Sequence, residues 1–216
     1  MKRHLLAIAV LGASLACGCV ETRFEAPLGG DASNCDTRWK GLWSSADPGD
    51  RSAAIHVDAQ CRMIMIEQPD PHRPPRRIDL PVRYAHVGDR DYLSIEAAAL
   101  KPLVDVPPVH GIHPPPAHAW YFARYTIDGD RLELDPVDSE RLGQLVLAGK
   151  LNGTVSKTTN ELHVFVQGDT SRMRDLVRNQ PVFDASKATR LVRLSASIAD
   201  FERQLRTAAG KQHDDG

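Results

Sequence analysis

The chain has 216 residues, of which 42% are hydrophobic, enough for a globular core, and its formal net charge is −1 at pH 7. A near-neutral chain lacks the basic surface that nucleic-acid binding requires, which excludes a nucleic-acid partner on electrostatic grounds. The length suits one domain. No segment after residue 16 approaches the run of about 20 apolar residues that a membrane-spanning helix needs.

The first 18 residues predict an export signal that is removed by cleavage. Lys2 and Arg3 precede an uncharged run over residues 5–16, which is the charged and then apolar arrangement of a signal peptide. Cys17 and Cys19 follow this run, each directly after a small residue. The pattern resembles the lipobox of bacterial lipoproteins, in which the cysteine is acylated and becomes the new N-terminus.

The resemblance implies a lipid anchor on Cys19, with Cys17 as the alternative; a plain signal peptide with two incidental cysteines is the other interpretation. Several acyl chains on one cysteine give stable anchoring. In lipoproteins, an acidic residue directly after the acylated cysteine favours the inner membrane. Val20 stands there, so we expect the periplasmic face of the outer membrane. Cleavage removes Lys2 and Arg3 and no acidic residue, so the net charge falls from −1 to −3.

The mature chain is predicted to have three parts. Residues 19–34 are rich in turn-forming residues and predict a flexible tether. A single β-rich domain is expected over residues 35–208, followed by a disordered tail at 209–216.

In an exported protein Cys35 and Cys61 are expected to form a disulfide, which stabilises the fold by roughly 3 kcal/mol on the chain-entropy model. Two free buried thiols are the alternative.

Short strands are predicted through the first half of the domain. The segments combine apolar runs or alternating apolar and polar residues with flanking turn residues. Pro81 within the last long segment indicates a sheet edge or a bulge. The predicted strands cover residues 38–44, 53–58, 62–66, 77–87 and 92–95.

A long loop is predicted over residues 100–118, because its six prolines exclude a helix or a central strand. This segment, the Pro/His loop, also carries His110, His113 and His118. Three imidazoles could bind zinc. The prolines, however, hold the segment extended, which separates His113 from His118 by about 15 Å. We therefore interpret the loop as a solvated interaction surface and predict neither a metal nor a cofactor.

The second half is predicted to mix strands with short helices. Residues 120–134 form the strongest hairpin pattern, around Asp128-Gly129. Asp138 and Gly149 are predicted to cap a helix between them. A capping box over residues 158–161 predicts a further helix running through Val166. Three more elements follow, a helical segment that includes Met173, Leu176 and Val177, a strand over residues 189–194 and a helix that begins at Ile198.

These elements predict a mainly β domain of the α+β class: an antiparallel meander that forms a small barrel or a curled sheet, with two or three short helices in its C-terminal half.

Gly41-x-Trp43 resembles the element that opens lipocalins. In that family the Trp closes the barrel floor and a late arginine packs on its ring, which implies a pair of Trp43 with Arg193, or with Arg190. The order of motifs also resembles a group of uncharacterised proteobacterial lipoproteins.

The sequence lacks a compact set of nucleophile, base and acid, so we predict no catalytic residues and no enzyme, with a metal-dependent hydrolase left open. The first functional hypothesis is a periplasmic interaction module. Such a module would assist envelope assembly or act as an inhibitor or immunity protein, and the Pro/His loop would dock a protein partner. The alternative is a lipocalin-like carrier that binds a lipid or a small apolar ligand.

Overall fold

The computed structural model describes residues 20–29, 35–70, 73–103, 106, 108–109, 111–157 and 162–211. Within these ranges the chain forms twelve β-strands and three α-helices. The strands before the first helix are β1 (Val20–Phe24), β2 (Gly41–Ser45), β3 (Ala53–Val57), β4 (Met63–Glu67), β5 (Arg76–Leu80), β6 (Val82–Val87), β7 (Arg90–Glu96), β8 (Trp120–Asp128) and β9 (Arg131–Pro136). The later elements are α1 (Ser139–Leu147), β10 (Gly153–Lys157), β11 (Leu162–Val166), α2 (Thr170–Asn179), β12 (Thr189–Leu194) and α3 (Ile198–Lys211).

Strands β2 to β9 and β12 form a curled antiparallel sheet. Consecutive strands pair with each other from β2 to β5 and again from β6 to β9, and β12 pairs with both β9 and β2. Pro81 divides the single strand predicted over residues 77–87, so that β5 pairs with β4 while β6 pairs with β7. Proline cannot donate a ladder hydrogen bond, which explains the break. The result confirms the predicted mainly β fold as a curled sheet whose ladder is not closed into a barrel.

Apolar side chains fill the inside of the curl. Trp39 and Trp43 are fully buried there and pack edge to face, with ring centroids 6.5 Å apart. Alternate residues of each strand around the curl point inward, as a strand with one inner face requires. The buried residues of this core, besides the two tryptophans, are Ile55, Val57, Cys61, Met63, Met65, Ile78, Leu80, Val82, Tyr84, Leu93, Ile95, Leu100, Tyr125, Leu132, Leu134 and Leu191.

A second layer covers the outer face of β6, β7 and β8. It consists of β1, β10 and β11 together with α1 and α2, and it encloses a separate apolar core around Phe24, Leu142 and Met173. Strand β7 is therefore buried on both faces: Leu93 points into the curl, while Tyr92 points into the second core. The stacking of Phe24 on Phe122, with centroids 3.9 Å apart, joins β1 to β8 within this layer.

Helix α3 covers another part of the outer face. Its residues Phe201 and Leu205 pack against Leu42, Ala54 and Ile66 of β2, β3 and β4. The helix extends to Lys211, so the first residues of the tail predicted over 209–216 are helical. Residues 212–216 lie outside the described part of the chain. None of the helices in the described ranges has both the length and the apolar composition needed to cross a bilayer.

Several local predictions are confirmed. The predicted β8–β9 hairpin forms, and the chain turns at Gly129 and Asp130, with Gly129 at a φ of 57°. Asp138 caps α1 by accepting a hydrogen bond from the Arg141 backbone N–H at 3.0 Å. Strand β12 forms over the predicted residues. Cys35 and Cys61 form the predicted disulfide, with Cα atoms 5.6 Å apart.

The helix predicted through Val166 is wrong, because Leu162–Val166 is strand β11. This strand is buried on both faces: Val164 and Val166 contact the second core, whereas Phe165 contacts a smaller cluster with Ala97. A strand buried on both faces shows no alternation, and its short apolar run cannot be told from a helix by periodicity. Residues 158–161, the proposed capping box, lie outside the described residues.

The flexible tether predicted over residues 19–34 is also wrong where the structure describes it. Val20–Phe24 is strand β1, which pairs with β11 along its length and with β8 only at Phe24, so it links the second layer to the curled sheet. Leu28 is fully buried in the second core. The turn-forming residues that predicted a tether begin only at Pro27, whereas the preceding residues form a strand in which Glu21 and Arg23 pair with each other. Residues 30–34 and residue 19 lie outside the described ranges.

Candidate functional site

Strand β1 begins at the residue that follows Cys19. It is parallel to β11 and in register with it from Val20, opposite Leu162, to Phe24, opposite Val166. At its other end Phe24 is opposite Trp120 of β8. Cys17 and Cys19 themselves lie outside the described residues. A backbone hydrogen-bonded ladder thus starts immediately after the predicted lipid attachment point.

A buried ion pair lies within β1. Arg23 and Glu21 are 4% and 6% exposed, and the Arg23 Nε lies 2.6 Å from the Glu21 Oε1. The two residues are two positions apart, which places them on the same face of a strand. Because water is excluded here, removing one partner would leave an uncompensated buried charge. Any change that separates the two side chains therefore destabilises the strand.

Residues from β8 and β11 complete this polar cluster. The Tyr121 hydroxyl donates a hydrogen bond to Glu21 at 2.8 Å. Burial, together with the neighbouring Glu21 carboxylate, raises the pKa of Tyr121 above its ordinary value, so the hydroxyl stays protonated and remains a donor. His163 lies opposite Glu21 in the ladder and is 5% exposed. Glu21 thus joins β1 to β8 through the Tyr121 hydroxyl and to β11 through the backbone ladder.

The Pro/His loop packs over this cluster. Arg23 donates a hydrogen bond from its Nη2 to the carbonyl oxygen of Pro108 at 3.0 Å. Val106, Val109 and Ile112 contact the apolar cluster formed by Ala97, Ala119 and Phe165. The buried ion pair and the apolar contacts together hold the described residues of the loop against the domain.

The tip of the Pro/His loop is exposed. The side chains of His113, Pro114, Pro115 and Ala117 are open to solvent. His118 is also exposed, and its Nδ1 lies 2.6 Å from the Glu96 Oε1. His110 lies outside the described residues. Among the residues that the structure does describe, no group of three or more His, Cys, Asp or Glu side chains is arranged to hold a metal ion.

The predicted pair of Trp43 and Arg193 is present. The Arg193 guanidinium carbon lies 4.3 Å from the centre of the Trp43 ring. Arg193 also donates hydrogen bonds to the carbonyl oxygens of Lys40, Arg38 and Gly129, the last two at 3.0 and 3.3 Å. The indole N–H of Trp43 donates to the Trp39 carbonyl at 2.7 Å. This arrangement joins β12 to the start of β2 and to the β8–β9 turn, which is a structural role.

Arg190, the alternative partner for Trp43, lies elsewhere. Its Nε donates to the Glu133 carboxylate at 2.9 Å on an exposed face of the sheet. Arg190 and Arg193 are three positions apart, so they point to opposite faces of β12. Only Arg193 faces the Trp43 ring.

Sequence reasoning missed the cluster of Glu21, Arg23, Tyr121 and His163. One available signal was the spacing of Glu21 and Arg23, which places opposite charges on one face of a strand. This spacing predicts an ion pair only if the segment is already known to be a strand. Tyr121 and His163 are a hundred or more positions from Glu21 along the chain, and the spacing of residues cannot predict that they lie beside it.

No family model matches the chain, and no curated protein and no solved structure matches it.

Proposed function

We propose that the chain is a lipid-anchored bacterial lipoprotein whose β-rich domain acts as an interaction module in the periplasm. Cys19 carries the lipid, with Cys17 as the alternative, and the domain lies on the periplasmic face of the outer membrane. Its role is to assist envelope assembly or to inhibit or neutralise another protein. The charged and apolar leader and the two cysteines after small residues support the anchor, and Val20 supports the outer membrane as its destination.

The apolar core that fills the inside of the curled sheet favours an interaction module over a carrier. A carrier of a lipid or of another drug-sized apolar molecule needs a cavity of about 300–1,000 Å³. Among the described residues, the space beside Trp43, bounded by Ala54 and Leu191, measures about 30 Å³, well below that range. Trp39, Trp43 and their apolar neighbours occupy the volume that a ligand would need.

The exposed tip of the Pro/His loop is the proposed contact with the protein partner. The prolines at 114–116 restrict the backbone, and the contacts of Ile112 and Arg23 hold the loop on the domain. A loop that is already ordered loses less conformational entropy on binding than a free segment does. A partner could therefore bind the tip without first ordering it.

Site-specific photo-crosslinking in intact cells tests this proposal. A photo-reactive amino acid at His113 is expected to give one crosslinked product of defined mass. The matched control is the same amino acid at Lys187, whose side chain is 68% exposed and lies in the segment before β12. The crosslink at residue 113 should disappear when Pro114, Pro115 and Pro116 are replaced by Gly and Ser, because the ordered tip is then lost.

Equal crosslinking at residues 113 and 187, or none at either, would contradict an interaction through the loop. Native mass spectrometry of the purified protein provides the second readout. A stable non-covalent adduct in the lipid mass range, in addition to the acyl groups on the cysteine, would contradict the filled interior and favour the carrier.

A further inference from the structure

The start of β1 connects the proposed lipid anchor directly to the sheet. Val20 is the first residue after Cys19, and it is already paired with β11. We infer that the folded domain lies directly on the bilayer, with one defined edge against the lipid head groups. This inference rests on the proposed lipid anchor and specifies what lies against it.

The distances follow from the covalent chain. With Cys19 acylated, the lipid-bearing residue lies about 3.8 Å from the first strand residue, measured between Cα atoms. With Cys17 acylated, two further residues add at most about 7 Å. A tether of the predicted kind, over residues 20–34, would allow about 50 Å. Either cysteine therefore holds the domain at the membrane surface.

Strand β1 cannot swing away from the domain to lengthen this connection. It is paired with β11 along its whole length. Glu21 and Arg23 are buried and paired with each other, and Phe24 is fully buried against Phe122. Pulling β1 out would expose the ion pair and the second apolar core. The orientation of the domain is thus coupled to the anchor.

The direction of the strands identifies the edge that meets the lipid. Because β1 and β11 are parallel, both begin at the anchor, at Val20 and Leu162. Strand β10 is antiparallel to β11, so it ends at the same edge, with Lys157 opposite Leu162. Lys157 is exposed, and its ammonium group suits anionic head groups.

The Pro/His loop reaches the neighbourhood of this edge. The position that a Cβ of Gly111 would occupy lies 4.0 Å from the Cβ of Ser156. Ser156 directly precedes Lys157 in β10. A protein partner of the loop would accordingly meet this domain close to the membrane surface.

Lysine labelling on vesicles tests the orientation. The mature acylated protein is reconstituted into vesicles of phosphatidylethanolamine and phosphatidylglycerol, and acetylation of each lysine is followed by mass spectrometry. The comparison protein carries an insertion of about ten Gly and Ser residues between Cys19 and Val20, which gives a root-mean-square reach of about 17 Å. Lys150 is the internal control, because it is exposed and lies beyond the opposite end of β10.

We expect Lys157 to be acetylated several-fold more slowly in the parent protein than in the insertion variant, while Lys150 reacts equally in both. Equal labelling of Lys157 in the two proteins would overturn the inference, and so would an equal slowing of both lysines. The mass of the N-terminal peptide from the same samples separates the two proposals. A missing acyl group would overturn the anchor itself, and this inference with it.

Discussion

Replacement of Trp43 by alanine is expected to destabilise the domain by about 3–5 kcal/mol. Trp43 is fully buried inside the curled sheet, and its ring lies under the Arg193 guanidinium. The substitution removes the ring from the core, ends the cation–π contact and leaves the Trp39 carbonyl without the indole donor. Urea unfolding followed by circular dichroism measures the effect, because Trp39 and Trp120 complicate a fluorescence readout.

Two further variants separate these contributions. Trp43→Phe keeps an aromatic ring in the core but loses the N–H donor, so its effect should be intermediate. Leu147 is 75% exposed on α1, and Leu147→Ala should change the free energy of unfolding by no more than about 0.5 kcal/mol. A Trp43→Ala effect as small as that of Leu147→Ala would contradict a filled interior.

Replacement of Arg23 by methionine is expected to destabilise the domain by about 3–5 kcal/mol, because the Glu21 carboxylate then lies buried without its guanidinium partner. The same change removes the hydrogen bond to the Pro108 carbonyl. The double variant Glu21→Leu with Arg23→Met should recover much of this loss, since an apolar pair leaves no buried charge. Urea unfolding of the single and double variants provides the measurement.

The pair of Arg190 and Glu133 is the matched control. It is also an ion pair on the sheet, but its side chains are 69% and 50% exposed. Arg190→Met should therefore cost at most about 1 kcal/mol. If Arg23→Met cost no more than Arg190→Met, residues 20–24 would be a solvated segment, as the tether interpretation had it, and β1 would not be part of the folded domain.

The features that could be predicted from sequence are those set by neighbouring residues or by strong side-chain chemistry. The β8–β9 hairpin follows from a Gly that accepts a positive φ at Gly129. Helix α1 follows from the Asp138 cap and an apolar spacing of three and four residues. The disulfide of Cys35 with Cys61 and the contact of Trp43 with Arg193 were also predicted, the second through the lipocalin resemblance.

The second layer could not be predicted, because its elements depend on distant partners. Strand β1 is short and polar, and it is stable only between β11 and β8. Strand β11 lacks alternation because both of its faces are buried. Strand β10, over Gly153–Lys157, was not predicted at all; among the described strands it pairs with β11 alone. Local propensity is a weak guide where tertiary pairing decides the conformation.

Only part of the candidate site could be predicted, again because some of its contacts depend on strands that are distant in sequence. The proline density of the Pro/His loop excluded regular structure, and the exposure of His113 and His118 agrees with a loop surface. The surface on which the loop packs could not be foreseen, because it requires β1 and β11 to be strands. The exposed Pro/His loop could be predicted from the sequence, whereas the buried cluster beneath it is visible only in the structure.

The mass of the N-terminal peptide from the membrane-bound protein tests the lipid anchor most directly. Trypsin cleavage after Arg23 should release residues 19–23 with a diacylglyceryl group on Cys19. A peptide that begins at residue 17 with the lipid on Cys17 would select the alternative cysteine. A peptide that begins elsewhere, or one whose cysteines carry no acyl group, would contradict the proposed lipoprotein and the membrane position inferred from it.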